Sequence, residues 1–131
     1  MPDTQNNETT VALIRSLIEH MKGAEDTWEQ LSMVIYFSNG KFQGTYGYTY
    51  SPDGTISAVA SHPREIKESV QAYLDTYFTA EDTLPVKLLV QFDRTLGQYE
   101  ITFEDIDVER WKVSPANIDT IREELRPQFN A

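Results

Sequence analysis

The spacing of hydrophobic residues changes several times along this chain, and each change predicts a different element. Val11, Ile14, Leu17, Ile18 and Met21 recur at three- and four-residue intervals, the stripe of an amphipathic helix over about residues 8–22. Thr9 or Thr10 is placed to cap it, and Gly23 to end it. From residue 28 the period falls to two. Leu31, Met33, Ile35 and Phe37 alternate with Ser32, Val34 and Tyr36, the pattern of a strand with one buried face. Asn39-Gly40 then predicts a tight hairpin, because both residues tolerate positive φ. On the return strand, residues 41–50, Phe42, Tyr46, Tyr48 and Tyr50 share one face, with Gln43, Thr45 and Thr49 on the other. Ser51-Pro52-Asp53-Gly54 is a second turn, and residues 55–60 complete a meander.

His62-Pro63 opens a second helix, with proline tolerated in the first turn. Ile66, Val70, Tyr73, Leu74 and Tyr77 form its apolar stripe to about residue 78. Val86, Leu88, Val90 and Phe92 make a strand. Leu89 between them predicts burial on both faces and a central place in the sheet. Tyr99, Ile101 and Phe103 follow the Thr95-Leu96-Gly97 turn as its partner strand. Ser114-Pro115 starts a last helix carrying Ile118, Ile121 and Leu125, and Pro127 stops it. The expected order is α-β-β-β-α-β-β-α. It describes one α+β domain over residues 1–131, two-layered, with helices packed on a five-stranded, mostly antiparallel sheet. Residues 1–8 are expected to be a frayed polar start.

Composition narrows the function classes. A hydrophobic fraction of 40% suits a folded core, while 21 Asp and Glu against 11 Lys and Arg leave a formal charge of −10. Such a chain is a poor direct ligand for nucleic acid or an anionic membrane, and a good one for a basic protein. The same acidity also serves plain solubility. With no cysteine there is no disulfide framework and no thiolate chemistry. The N-terminus shows no secretory signal pattern and no stretch long enough to span a membrane, so a cytoplasmic protein is expected.

The acid is concentrated at residues 100–109, EITFEDIDVE, where Glu100, Glu104, Asp105, Asp107 and Glu109 occur with no base. Templates for catalysis fail elsewhere: there is no phosphate loop, no nucleophile elbow, and neither His20 nor His62 has a metal-site partner at helical spacing. Neighbouring carboxylates on one exposed strand do not face each other across a cleft as a glycosidase pair must. A divalent cation on Glu104, Asp105 and Asp107 is chemically allowed, but no loop glycine shapes the turn. No catalytic residue, cofactor or metal is therefore assigned. What remains is an acidic surface, inert or facing a partner's Lys and Arg. Trp111, just downstream, is a core plug or an exposed anchor, as is Trp28 at the start of the first strand. Glu25, Asp26 and Glu29 form a secondary acidic patch. The tyrosine stripe is most simply core, and becomes a binding platform if helices leave that face uncovered.

A helix leading to Trp28 and an aromatic strand pair, the run from Gly97 to Phe103 (G-x-Y-x-I-x-F), the acidic pair Glu104-Asp105 and the later Trp111 together resemble the YezG-like immunity proteins of polymorphic-toxin and contact-dependent inhibition systems. The resemblance covers roughly residues 10–125 by pattern, without a diagnostic motif. It implies a non-enzymatic cytoplasmic inhibitor that binds a cognate toxin domain, often a basic nuclease. The acidic surface would then act as a partial mimic of nucleic acid. A second expectation, from a different class, is a secretion chaperone that holds an effector's apolar segment against the tyrosines.

Overall fold

In a computed structural model of the chain, which describes residues 3–79 and 81–129 and the side chains from residue 8 onward, six strands form one antiparallel sheet. The elements run α1 (Asp3–Glu19), β1 (Met21–Lys22), β2 (Gln30–Ser38), β3 (Lys41–Tyr50), β4 (Ile56–Ser61), α2 (Pro63–Tyr77), β5 (Lys87–Asp93), β6 (Gln98–Glu104) and α3 (Ile118–Leu125). Across the sheet the order is β1-β4-β3-β2-β5-β6. The α+β class and the sequence of helices and strands are as the periodicity predicts. The extra strand is β1: Met21 and Lys22 leave the first helix and pair with Ser61 and Ala60 at the sheet's edge. At the other end α1 already begins at Asp3, inside the polar start, so Thr9 and Thr10 are interior helical residues rather than caps.

Local chemistry explains the turns. Asn39 and Gly40 have φ of 55° and 75°, the positive values a two-residue hairpin needs, and Ser38 faces Lys41 across it. Asp93 closes the later hairpin by accepting the amides of Thr95 and Leu96, both at 2.9 Å, ahead of Gly97 at φ 70°.

One face of the sheet carries the larger core. Leu31, Met33, Ile35 and Phe37 of β2 and Leu88 and Val90 of β5 pack under Leu13, Ile14 and Leu17 of α1 and Ile66, Val70, Tyr73 and Leu74 of α2. The opposite face is covered too. Val34, Tyr48, Tyr50 and Leu89 lie beneath Trp111 and the α3 residues Ile121 and Leu125. The sheet is thus clad on both sides, so α3 adds a third layer to the expected two. This makes both β2 and β5 two-sided core strands: Val34 and Ser32 are as fully enclosed as their neighbours, and Leu89 fulfils the double burial expected of its strand.

A bulge explains a departure in β3. Tyr36 faces Gly44 but Phe37 faces Phe42, so Gln43 is left unpaired and the alternation shifts by one. Phe42 therefore joins the first core beside Phe37, their rings 6.2 Å apart, whereas Tyr46, Tyr48 and Tyr50 face the other way. At Gly47 the pairing is so close that a Cβ would overlap the Ser32 carbonyl, which is why a strand position here is glycine.

Candidate functional site

The segment after β6 reaches α3 without regular structure, so its backbone polar groups need partners from elsewhere. Turns within the segment supply some, and the second face of the sheet supplies others, together with donors for the open carbonyls in the last turn of α3. Tyr46 Oη donates to the Trp111 carbonyl at 2.9 Å and Tyr50 Oη to that of Arg122 at 2.7 Å. Lys87 Nζ donates to the Arg110 carbonyl at 2.7 Å, and Gln91 Nε2 to that of Leu125 at 2.9 Å. The tyrosine stripe is therefore a docking bed for the chain's own C-terminal segment. Burial raises the pKa of Tyr46 and of Tyr50 to about 12, which keeps both hydroxyls protonated donors across the physiological range.

Glu104 ends β6 and organises the loop beyond it. One carboxylate oxygen accepts the amides of Ile106 at 3.2 Å and Asp107 at 2.9 Å, and the other meets Arg110 Nη1 at 2.8 Å. The Asp107 amide first, then Arg110 and the Ile106 amide, hold this carboxyl down to about pKa 2. Glu104 is thus the internal anchor of the loop rather than a free acid. Asp107 in turn accepts the Glu109 amide at 2.9 Å, and Glu109 pairs with Lys112 at 3.2 Å on the surface. Glu100 and Asp105 remain exposed and enter no ion pair with the described residues.

Trp111 is a core residue. It is 6% exposed, its ring is covered by the Arg110 guanidinium at 4.4 Å, and its backbone sits at φ 64°. The expectation of an exposed aromatic anchor there gives way to a buried plug that pins the loop to the second face. A left-handed tryptophan is strained, and the ring's burial with the Tyr46 hydrogen bond holds it in place. Trp28 is likewise buried, edge-on to Phe92 and stacked under Arg94 at 4.0 Å.

The exposed apolar positions of the loop are Ile106, 85% exposed, and Val108, 57% exposed. They alternate with Asp105, Asp107 and Glu109. The second acidic group, Glu25, Asp26 and Glu29, is not part of this surface. Glu29 shares backbone hydrogen bonds with Tyr50 and Arg94, at the end of the sheet where β5 finishes, while Glu104 faces Lys87 where β5 begins. Seven residues of extended chain put the two groups about 20 Å apart.

Two residues that organise the loop, Lys87 and Arg110, escape a reading of the sequence. For Lys87 a signal exists: it is one basic residue inside the apolar run 86–90. Arg110 carries none beyond being the first base after five acids. Among the described residues no group of three or more His, Cys, Asp or Glu is arranged to hold a metal ion, and no helix is long and apolar enough to cross a membrane. Compared with models of protein families, with curated proteins and with solved structures, the chain has no significant match to any of the three.

Proposed function

We propose that this chain is a binding protein of the immunity type, which neutralises a basic toxin domain, a nuclease foremost, through the surface formed by β6 and the loop that follows. The observation that carries this reading is the loop's composition and its fixed shape together. Exposed Ile106 and Val108 are interleaved with Asp105, Asp107 and Glu109, and Glu104 holds the backbone that presents them. An apolar centre with a charged rim is the anatomy of a protein interface, and a rim of one sign selects a partner of the other. Preorganisation lowers the ordering cost of binding. The chaperone alternative loses support, because the chain's own C-terminal segment covers most of the tyrosine face it requires and leaves a cavity of small-molecule size rather than a groove for a polypeptide segment. A cytoplasmic setting belongs to the same proposal.

Charge reversal belongs at Glu100 and Asp105, which are free of structural duties, and not at Glu104. The test is co-expression with the C-terminal domain of the protein encoded immediately upstream. Growth rescued by the wild-type chain, and lost with Glu100→Lys/Asp105→Lys, is the expected result. A purified pair that forms no complex, or a complex indifferent to those substitutions, removes the reading.

A further inference from the structure

Lys87 lies on the second face at the start of β5 and is only 7% exposed. Its ammonium has three N–H donors, and two meet neutral oxygens, the Arg110 carbonyl at 2.7 Å and Tyr46 Oη at 3.2 Å. The nearby acids are engaged elsewhere. Glu104, its cross-strand neighbour, is taken up by Arg110 and two loop amides, and Glu109 by Lys112. Among the described residues no carboxylate reaches Lys87 Nζ in an ion pair. Glu109 and Asp107 act on it only from a distance, and a buried cation without a direct ion pair is costly and unexpected in a chain with 21 acids to choose from.

The same ammonium stands at the wall of a cavity of about 690 Å³, open to solvent between the sheet's second face and the segment that covers it. Tyr36, Tyr46 and Tyr48 line one side, and Val113 and Ile118 the other. The size falls within the range of small-molecule sites, and the make-up, mostly apolar with a few polar groups converging, is theirs as well. We infer that this cavity binds a small apolar molecule bearing one carboxylate, which pairs with Lys87 while its body lies against the tyrosines and Ile118. A single negative charge fits because Glu109 and Lys112, which also reach the wall, are paired with each other, and Lys87 is left as the one ammonium there without an ion-pair partner. The cavity borders the acidic interface and shares Val108 and Glu109 with it, but the inference does not depend on what that interface binds.

The test is calorimetric titration of the full chain with decanoate and with 2-naphthoate, each beside its neutral alcohol, decanol or 2-naphthylmethanol. The two acids distinguish an aliphatic from an aromatic body. The expected result is saturable binding of at least one acid, one per chain, tighter than its alcohol by about tenfold or more, the scale of a hydrogen bond to a charged group. Lys87→Met should abolish that preference and leave the alcohol's affinity in place. Ile118→Trp, at an exposed position on the cavity wall, should weaken acid and alcohol together without altering the circular dichroism spectrum. If Lys87→Met fails to fold, Ile118→Trp decides. No saturable binding of either acid, equal affinity for acid and alcohol, or binding unchanged in Ile118→Trp overturns the inference.

Discussion

The two faces of the sheet are covered by different physics. On the first, α1 and α2 satisfy most of their own backbone groups and contribute mainly side chains, so the contact is largely apolar, from Leu13 and Leu17 through Val70 to Leu88 and Val90, with one buried polar link from Ser61 Oγ to the Leu17 carbonyl at 2.7 Å. On the second, an irregular segment and a helix of eight residues do the covering; turns satisfy some of the segment's carbonyls, while those of Arg110 and Trp111, and of Arg122 and Leu125 in the last turn of α3, look to the sheet. Tyr46, Tyr50, Lys87 and Gln91 answer them one by one. A regular cover needs only the right spacing of hydrophobic residues. An irregular cover needs a specific donor under each exposed carbonyl, and this makes the second face sensitive to single polar atoms.

The largest effect expected is on the first face. Leu17→Ala or Leu31→Ala, both fully buried, should cost about 2–5 kcal/mol in denaturant unfolding, with an unchanged m-value. A cost under about 1 kcal/mol would mean that α1 is not integral to the core. Tyr50→Phe should cost less, about 1–3 kcal/mol, because it strands the Arg122 carbonyl and the Ser32 hydroxyl. Hydrogen exchange should speed up in α3 before it does in α1, and uniform acceleration would erase the distinction between the faces.

The acid response is smaller still. The Glu104 pKa lies below its unfolded value, so its contribution is fully present above about pH 4.5 and is lost as pH falls toward about 2. NMR of the residues 105–110 should show the loop released over that window, and Glu104→Gln should remove the pH dependence there. Retention of that dependence in the variant would assign it to another group. The smallest effect should come from Glu100→Lys/Asp105→Lys, which should move stability by no more than about 0.5 kcal/mol. A larger loss would show these two carboxylates to be structural, like Glu104.

Much of the first face was legible from spacing. The stripe of α2, the alternation of β2, the Asn39-Gly40 hairpin and the double burial of β5 all follow from local pattern, because each is decided within a few residues. Phe42 shows where that stops. Its place in a tyrosine stripe is the natural extrapolation of period two, and one unpaired residue, Gln43, reverses it. Nothing in the residue itself announces a bulge, since pairing with β2 selects it. Met21 likewise extends a helical stripe but pairs as a strand, because β4 offers an edge.

The acidic segment divides in the same way. Its charge and its place along and beyond β6 belong to the sequence, because ionisation of a carboxyl near neutral pH needs no fold. What each carboxylate does was decided by the tertiary structure. Glu104 became an anchor because Arg110 and two amides converge on it, whereas Asp105, next to it in the chain, stayed in water. Trp111 became a plug, and Lys87 a buried cation, once the C-terminal segment had folded back over the sheet. Periodicity records which side of an element is apolar. It does not record what will lie across from it, since long-range contact is a property of the assembled layers.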